Sequence, residues 1–316
     1  MKATTKTVAP QALGALLEST FVGHLPGVMY TSVGSLEVLI SDITNDSKQV
    51  SHGSMYCCVV GDHTDGHDFA QDALNAGASA LLVERKLPID CAQVIVSDAR
   101  RAMGEMASAL YDHPSKRMRV VGITGTNGKT TTAHLLGAIF RQQGLNTEVF
   151  GTLSGARTTP ESCDLQRNLW HAAEAGVRAV VMEVTSHALV LQRIVGTQFD
   201  AVVFLNLSPE HLDFHKTLEQ YFAAKASLFD KRFTNLGIVN GDDVHGQLLL
   251  DAADIETLSF GLSDVDKIEV TPQSHSYIWR NNAVHVAVGG KFNVLNSLAA
   301  ATVAASLGVD AVDIVS

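Results

Sequence analysis

The sequence has few cysteines and no long apolar run, and both absences narrow the class of protein. Its four cysteines, Cys57, Cys58, Cys91 and Cys163, show no CxxC spacing, so we expect buried, reduced thiols rather than a disulfide framework. No apolar stretch approaches the roughly 18 residues that cross a bilayer, and the opening residues lack the continuous apolar segment of a secretory signal. We therefore expect a cytoplasmic protein that does not associate with a membrane.

Positive charge is also scarce. The 23 lysines and arginines face 33 aspartates and glutamates, which gives a formal net charge of −10 at pH 7. Because contacts with nucleic-acid phosphates need a basic face, this balance excludes a general nucleic-acid surface. An anionic small ligand must therefore meet positive charge that is concentrated locally.

The length of 316 residues and the hydrophobic content of 46% allow a large core and suggest two domains. Residues 1–112 alternate short apolar runs with a helical stretch, which predicts one small α/β domain. The predicted strands are residues 55–60, 80–83 and 94–96, and the predicted helix is 68–75. The polar segment 112–116 contains the helix-ending Pro114, so we place the domain boundary after residue 112.

Residues 113–316 predict a second α/β domain, a doubly wound and mostly parallel sheet. Its strands are nearly all apolar, as expected where helices cover both faces of a sheet. Beyond about residue 258 the pattern changes to short alternating strands, which indicates a small antiparallel addition before a last helix. The predicted strands are residues 119–123, 179–184, 201–205, 277–279 and 284–288, and the last predicted helix is 293–307.

A glycine-rich loop joins the strand 119–123 to a helix predicted over residues 131–142. It reads Gly125-Thr126-Asn127-Gly128-Lys129-Thr130-Thr131, so backbone amides and a helix N-terminus converge where a phosphate can bind. Lys129 can contact the β- and γ-phosphates of ATP, and the Thr130 hydroxyl can ligate Mg²⁺. The second domain is thus predicted to be of P-loop type, although Ile123 stands where the generic motif has its first glycine. The alternative is a strand-to-helix turn without a ligand.

Glu183 ends an apolar strand. In an open parallel sheet the carboxyl ends of the strands form the ligand crevice, so this carboxylate is a candidate Mg²⁺ ligand. Thr185-Ser186-His187 add further polar groups at the same place. The alternative is a solvated acid at a strand end.

Two histidines and two acids crowd the loop after the next strand. His211 and His215 lie four residues apart, the spacing of a zinc pair, but no third soft ligand lies nearby and a phosphate loop favours a harder metal. These points argue against a zinc site, and we favour a structural role for His215.

Lys225 lies on the apolar stripe of the helix predicted over residues 218–229. Leu218, Phe222 and Phe229 define the stripe, so the lysine is predicted to face inward. One interpretation is a snorkelling lysine whose amine reaches water. The other is a desolvated amine with a lowered pKa, able to react with CO₂.

Taken together, these motifs resemble the Mur ligases of peptidoglycan synthesis. The resemblance is greatest to the branch of UDP-N-acetylmuramoyl-dipeptide ligases, the MurE type, which adds the third residue of the stem peptide. The matching motifs are spread along the chain: Asp46-Ser47-Lys48, Asp65-Gly66-His67, the phosphate loop, Thr158-Thr159-Pro160-Glu161, the segments 182–187 and 210–215, Tyr221-Phe222-Ala223-Ala224-Lys225, and 292–296.

The resemblance implies an amide-bond ligase that uses ATP and two Mg²⁺ ions. ATP would phosphorylate the free carboxylate of UDP-N-acetylmuramoyl-L-Ala-D-Glu, and the amine of an incoming amino acid would attack the acyl phosphate. It implies that Lys129 contacts the phosphates, that Thr130 and Glu183 hold one Mg²⁺, and that His211 helps to hold the second. Lys225 matches the lysine that the family carbamylates into a metal ligand.

The same resemblance implies the substrate-binding residues. Ser47 and the turn Asp62, His63 and Thr64 match the uridine-nucleotide pocket, whereas Thr158, Thr159, Thr185 and Arg193 match contacts of the muramyl peptide. Asn293 or Asn296 matches the adenine side. The chain departs from the family at Lys48 (usually arginine), Thr185 (usually serine) and Glu210 (usually aspartate), and Leu191 stands where some relatives have glutamine.

The family carries a third, C-terminal domain that selects the incoming amino acid, whereas this sequence ends at Ser316. We therefore expect a ligase that is part of a longer chain or is completed by a partner. One alternative is a truncated, non-catalytic module that binds nucleotide or UDP-muramyl peptide. Another is a related ligase resembling folylpolyglutamate or cyanophycin synthetase, although the 158–161 motif and the N-terminal domain favour muramyl substrates.

Overall fold

The computed structural model describes residues 7–21, 29–153 and 157–315 and divides the chain into two compact units. The first unit comprises Met1–Pro114, Pro160–Glu174 and Leu191–Thr197, and the second comprises Ser115–Thr159, Ala175–Val190 and Gln198–Ser316. Two later segments therefore belong to the first unit, although the sequence pattern alone does not separate them from their neighbours. Within the described ranges, no helix is long and apolar enough to cross a membrane.

The helices, in chain order, are α1 (Leu13–Phe21), α2 (Ala70–Asn75), α3 (Ala99–Leu110), α4 (Lys129–Gln142), α5 (Ser162–Glu174), α6 (Ser186–Val190), α7 (Leu212–His215), α8 (Leu218–Ala226), α9 (Val244–Ala252), α10 (Phe292–Ser306) and α11 (Ala311–Ile314). The strands are β1 (Gln11–Ala12), β2 (Tyr30–Val33), β3 (Leu39–Ile40), β4 (Asp42–Thr44), β5 (Ser54–Cys57), β6 (Ala80–Val83), β7 (Ala92–Val96), β8 (Arg119–Thr124), β9 (Thr147–Phe150), β10 (Ala179–Glu183), β11 (Ala201–Phe204), β12 (Leu236–Asn240), β13 (Glu256–Phe260), β14 (Val265–Val270), β15 (His275–Trp279) and β16 (Asn282–Val286).

The first unit is built on a five-stranded sheet in the order β2-β7-β6-β5-β4. Strand β2 pairs with β7 in the antiparallel sense, and the other three pairs are parallel. Every residue of β5 and β6 is buried, as expected of parallel strands that are covered on both faces. The predicted α/β architecture of the N-terminal region is therefore confirmed.

Helix α5 belongs to the first unit, where Arg167 on its polar face forms hydrogen bonds with strand β4. Arg167 donates to Asp42 through Nε at 3.2 Å and to the Ile43 carbonyl through Nη2 at 3.0 Å, and Tyr111 donates to the same Asp42 carboxylate at 2.6 Å. Cys163 and Trp170 add buried apolar contacts to the core of this unit. Asp42 and Ile43 lie more than a hundred residues from Arg167 in sequence, and Tyr111, which accepts from Arg167 Nε at 3.1 Å, lies 56 residues away, so no local pattern could reveal these contacts.

The thiols are all free, and three of the four are buried. Burial raises the pKa of Cys58 and that of Cys163 to about 12, so both stay protonated and unreactive at neutral pH. The expectation of four buried thiols is wrong for Cys91, which is half-buried.

The second unit is a six-stranded parallel sheet in the order β13-β12-β11-β8-β10-β9. The chain starts in the middle at β8, fills one side with β9 and β10, and then crosses to the other side with β11. Strand order therefore reverses beside β8, and in such sheets ligands bind at the carboxyl ends of the strands that flank this switch point. The predicted doubly wound sheet is confirmed.

The predicted antiparallel addition is also confirmed, as the three-stranded sheet β14-β15-β16. It is fixed to helix α10 by Ser297, whose hydroxyl lies 2.8 Å from His275 Nε2 and 3.0 Å from the Tyr277 hydroxyl. Several element ends differ from prediction. Helix α4 begins at Lys129 rather than residue 131, and α8 ends at Ala226 rather than residue 229.

Candidate functional site

The glycine-rich loop leaves β8 and leads directly into α4. Gly128 has φ +90°, a left-handed conformation that an L side chain adopts only with strain, and a Cβ there would lie 2.2 Å from Asn296 Oδ1. The loop backbone is further fixed by Asn206, whose side chain accepts from the Asn127 N–H at 2.9 Å and donates to its carbonyl at 3.1 Å. The backbone is thus held in shape without help from a ligand.

Two lysines donate to the same carbonyl oxygen of this loop. Lys129 Nζ lies 2.8 Å from the Gly125 oxygen and 2.9 Å from that of Thr126, and Lys225 Nζ lies 2.9 Å from the Gly125 oxygen. Burial lowers the pKa of Lys129, although Glu183 and Glu210 oppose that effect. Two amines near one oxygen form the local concentration of positive charge that an anionic ligand requires in a chain of net charge −10.

Lys225 faces inward as the helical periodicity predicts. It is 1% exposed, and its Nζ lies 4.5 Å from the centre of the Tyr221 ring. Burial, and secondarily Lys129, lowers the pKa of Lys225 to about 7, with Glu210 acting in the opposite direction. The snorkelling interpretation is wrong, because the amine is buried with the stem. A large fraction of this amine is neutral at pH 7, which is the form that reacts with electrophiles.

Glu183 is buried at the end of β10, and the groups that reach its carboxylate are neutral donors. The Thr130 hydroxyl donates to it at 3.0 Å, and the Thr152 N–H donates at 2.9 Å. A Cβ on Gly151 would lie 2.1 Å from Glu183 Oε1, so any other residue there would displace this carboxylate. The interpretation as a solvated acid is wrong, since Glu183 is 1% exposed.

His211 lies in a group of aromatic rings. Its side chain is 46% exposed and lies 3.9 Å from Glu210, and its ring centre is 4.8 Å from that of His187. His215, by contrast, is buried with its Nε2 2.9 Å from the Ser186 hydroxyl. Burial, followed by the nearby His187, lowers the pKa of His215. Within the described part of the chain, no group of three or more His, Cys, Asp or Glu side chains is arranged to hold a metal ion.

A cavity of about 360 Å³ adjoins the loop. It is lined by Asn127, Gly128, Leu205, Asn206, Leu207, Ser208, Asn240, Asp242, Asp243, Phe260, Phe292, Leu295 and Asn296. Of the two asparagines predicted on the adenine side, Asn296 lines the cavity. Asn293 orients the Asn296 side chain, because its Oδ1 accepts a hydrogen bond from Asn296 Nδ2 at 2.8 Å. Thr131 lies in the first turn of α4.

Three predicted substrate contacts lie in the second unit beside Glu183. Thr159 is buried and donates to the Glu183 carbonyl at 2.9 Å, and its hydroxyl accepts from the Thr185 N–H at 3.3 Å. Thr158 lies 3.2 Å from the Thr152 hydroxyl. The contacts of Gly151, Thr152 and Asn206 at this site were not predicted. Of these three residues, Asn206 had a local signal, because it closely follows an apolar strand.

The other predicted substrate contacts lie in the first unit. Ser47 is half-buried in a 3-10 turn that begins after Asp46. Asp62, His63 and Thr64 form an exposed turn closed by a hydrogen bond from the Gly61 N–H to the Thr64 carbonyl at 2.9 Å. Arg193 pairs with Glu161 at 2.8 Å.

Comparison with known families decides what this arrangement is. Residues 123–304 match the Mur ligase middle domain, and residues 39–114 match the Mur ligase family, catalytic domain. The chain belongs to the Mur ligase family.

Relatives similar to this chain include UDP-N-acetylmuramoyl-L-alanyl-D-glutamate–2,6-diaminopimelate ligases. The one from Geobacillus kaustophilus is 37% identical over 314 residues, which are 92% of this chain and 64% of the relative. The one from Aquifex aeolicus is 38% identical over 273 residues, 84% of this chain and 56% of the relative. The chain therefore spans less than two thirds of the length of these relatives.

Solved structures show the same fold. A UDP-N-acetylmuramoyl-L-alanyl-D-glutamate–2,6-diaminopimelate ligase superposes with a TM-score of 0.78 at 26% identity, covering 89% of this chain and 63% of the other. MurF from Acinetobacter baumannii superposes with a TM-score of 0.72 at 24% identity, covering 98% and 68%.

The departure of this member of the Mur ligase family from the generic phosphate loop has a structural reason. Ile123 lies inside β8, where it pairs with Glu183 of β10 and Val203 of β11 and is fully buried. The position where the generic motif has glycine is here a core strand position, and the turn itself begins at Gly125.

Proposed function

We propose that this chain carries the nucleotide-binding and muramyl-substrate-binding parts of an ATP-dependent amide ligase. The reaction would add diaminopimelate to UDP-N-acetylmuramoyl-L-Ala-D-Glu, the reaction that the names of the relatives describe. The observation that carries the proposal is the pair of amines, half-buried Lys129 and buried Lys225, at one carbonyl of the phosphate loop, with the buried Glu183 carboxylate in the same unit.

The residues present fit magnesium. Glu183 is a buried carboxylate, and its hydrogen-bond donors among the described residues are neutral groups. The Thr130 hydroxyl lies 3.0 Å from both carboxylate oxygens. Carboxylate and hydroxyl oxygens are the hard ligands that Mg²⁺ prefers. We propose that Thr130 and Glu183 hold one ion, and that His211 and a carbamylated Lys225 take part in holding a second. Bound magnesium would neutralise charge on the phosphoryl group as it transfers.

The protein's own groups then act mainly by position and charge. Lys129 would turn from the loop carbonyls to the phosphates of ATP, which Gly125, Thr126, Asn127, Gly128 and Thr131 would surround with backbone amides. The substrate carboxylate would attack the terminal phosphorus, and the acyl phosphate formed would be attacked by the amine of diaminopimelate. Asn296, supported by Asn293, would contact the adenine side.

We assign substrate binding as the sequence predicts. Residues 1–112 would bind the uridine nucleotide through Ser47 and the turn of Asp62, His63 and Thr64, and residues 113–316 would bind ATP. Thr158, Thr159, Thr185 and Arg193 would contact the muramyl peptide. The product would serve peptidoglycan synthesis, and through it cell-wall biogenesis, cell shape and division. The cytoplasmic location stays a prediction from the sequence.

The test begins with binding to the 316-residue chain. Calorimetry should detect a non-hydrolysable ATP analogue with Mg²⁺ and, separately, UDP-N-acetylmuramoyl-L-Ala-D-Glu. Lys129→Ala should abolish the first, whereas Lys231→Ala, an exposed lysine, should not. Amide product should then form from ATP, both substrates and the chain, either alone or with the remaining part of the Geobacillus relative as a partner.

The outcomes separate the candidate functions. A chain that binds both ligands but never yields product under any of these conditions would be the non-catalytic module. A chain that binds ATP but no UDP-muramyl ligand would contradict the muramyl assignment and would favour another ligase of this fold.

A further inference from the structure

A second cluster of charge lies in the first unit. The Glu161 carboxylate faces two arginines: Oε1 is 2.8 Å from Arg193 Nη2, and Oε2 is 3.8 Å from Arg100 Nη1. The side chains are 10%, 15% and 21% exposed for Glu161, Arg193 and Arg100. Two guanidinium groups therefore share one carboxylate, in a chain whose net charge is −10.

Three separate segments of the first unit build this cluster. Arg100 lies in the first turn of α3, Glu161 precedes α5, and Arg193 lies in the segment 191–197. That segment is held against α3 at close range, since a Cβ on Gly104 would lie 2.7 Å from the Val195 carbonyl. The Gln192 amide also donates to Asp98 at 2.9 Å, so the position of Arg193 is set by the fold.

Arg100 retains most of its hydrogen-bonding capacity. Among the described residues it makes two polar contacts, the 3.8 Å ion pair with Glu161 and a 3.3 Å hydrogen bond to the Val60 carbonyl. A guanidinium has five N–H donors, and neither contact is short. Arg167 is a contrasting case in the same unit, because all three of its nitrogens donate to protein acceptors at 2.9 to 3.2 Å. The protein thus engages every nitrogen of Arg167, whereas Arg100 Nε has no hydrogen-bond partner among the described residues and is open to a further acceptor.

The position of Arg100 links two parts of the proposed substrate site. Val60, whose carbonyl it contacts, pairs with Asp65 across the turn of Asp62, His63 and Thr64. On its other side Arg100 faces the carboxylate that holds Arg193. An arginine between a nucleotide-binding turn and a substrate-binding arginine is placed to bind a phosphate or carboxylate group of a ligand that spans both.

We propose that Arg100 is a further binding residue for an anionic group of the UDP-muramyl substrate, and that Glu161 is a positioning residue that keeps both guanidinium groups at that anion. The assignment rests on the proposed function. The anion is either the diphosphate or a peptide carboxylate, which are bound by the same guanidinium chemistry.

The test is equilibrium binding of three probes to the 316-residue chain: UDP, UDP-N-acetylmuramic acid and UDP-N-acetylmuramoyl-L-Ala-D-Glu. Loss of a charge-assisted hydrogen bond should raise the Kd of Arg100→Ala on the order of 10- to 100-fold, and Arg100→Lys should retain part of the affinity. Arg101→Ala, at the neighbouring half-buried arginine, should bind within about twofold of the parent, because the Arg101 side chain forms no hydrogen bond or ion pair among the described residues. An effect already present with UDP identifies the diphosphate, and an effect confined to the dipeptide probe identifies a carboxylate.

Substitution of Glu161 distinguishes the two possible roles by the direction in which the affinity changes. Glu161→Gln removes a negative charge from an anion site, so simple electrostatics predicts tighter binding. A positioning role predicts weaker binding of the same probes, because the guanidinium groups lose the carboxylate that orients them. Glu161→Asp, which keeps the charge, should fall between the parent and Glu161→Gln.

The failures are distinguishable. If the parent binds the uridine probes and Arg100→Ala, folded as judged by its unfolding transition, binds all three equally well, the Arg100 assignment is overturned and the proposed function stands. If Arg100→Ala does not fold, Arg100→Gln and Arg100→Lys give the same comparison. If the parent binds Mg-ATP but none of the uridine probes, both the assignment and the muramyl function fail.

Discussion

Replacing Lys225 with methionine should stabilise the second unit at neutral pH even though it removes a residue of the proposed site. The lysine is 1% exposed, and burial with help from Lys129 lowers its pKa from 10.5 to about 7. A lowering of this size corresponds to a cost of roughly 4 to 5 kcal/mol for carrying the charge in the folded state.

The sign of the pH dependence follows from the protons bound. Below pH 7 both the folded and the unfolded chain hold the proton on Lys225, so the cost of the buried charge is fully present. Between pH 7 and 10.5 the unfolded chain holds more protons than the folded one, so stability rises with pH. The advantage of methionine should therefore be greatest at pH 7 and below and should fade towards pH 10.5.

The Lys225→Met variant also lacks two favourable contacts of the lysine. The hydrogen bond to the Gly125 carbonyl and the contact with the Tyr221 ring are together worth about 1 to 2 kcal/mol, while Lys129 still donates to Gly125 at 2.8 Å. We expect a net gain of about 2 to 3 kcal/mol at pH 6.5. For a unit of this size that gain corresponds to a rise of about 5 to 10 °C in Tm.

The chain's two tryptophans allow each unit to be followed separately. Trp170 lies in the first unit and Trp279, 3% exposed, in the second, so the fluorescence of a Trp170→Phe background reports the second unit. Unfolding is measured in CO₂-free buffer from pH 6.5 to 10. Lys231→Met, at a side chain 62% exposed, should change the free energy of unfolding by less than about 0.5 kcal/mol.

Two results would refute the reasoning. One is a Lys225→Met protein less stable than the parent at pH 6.5, and the other is a stability difference that does not change with pH. Added bicarbonate should stabilise the parent and leave Lys225→Met unchanged, since only the lysine can be carbamylated.

Three further changes test other parts of the structure. Gly151→Ala would place a Cβ 2.1 Å from Glu183 Oε1 and should weaken Mg-nucleotide binding on the order of 10- to 100-fold in calorimetry. Gly14→Ala, whose Cβ would lie 3.4 Å from Leu36 Cβ, should leave the affinity unchanged, and equal affinities of the two variants would contradict the packing argument. Thr130→Val removes the hydroxyl that reaches Glu183 and should lower nucleotide affinity only when Mg²⁺ is present, with Thr130→Ser restoring it; a loss that is the same without the metal would count against a ligand role. Arg167→Met leaves acids without their partner and should destabilise the first unit by about 2 to 3 kcal/mol, followed through Trp170 in a Trp279→Phe background; an unchanged transition would mean that solvent replaces the ion pairs.

Much of the second unit could be predicted because its signals are local. The apolar runs around Val121 and Val181 are long enough to identify buried parallel strands, and the loop from Gly125 to Lys129 has a spacing that strand-to-helix geometry requires. The apolar residues whose helical spacing places Lys225 on an apolar face also lie within two helical turns of it. Element ends were less well predicted, since packing and caps set them; α4 starts at Lys129 directly after the left-handed Gly128.

The first unit shows where local signals stop. Nothing near Arg167 in sequence indicates that α5 binds Asp42, and nothing near Arg100 indicates that it shares Glu161 with Arg193. These contacts join segments that are separated by tens to more than a hundred residues, so only the folded chain defines them.

By itself the sequence determined which segments form helices and which form strands, the phosphate loop, and the inward direction of Lys225. Each of these depends on the period or spacing of neighbouring residues. Tertiary structure decided the rest: that Lys129 and Lys225 meet at one carbonyl, that Gly151 makes room for Glu183, and that Arg100 stands open beside Glu161. The physical reason is that charge, burial and steric room at a site depend on which distant segments the fold brings together.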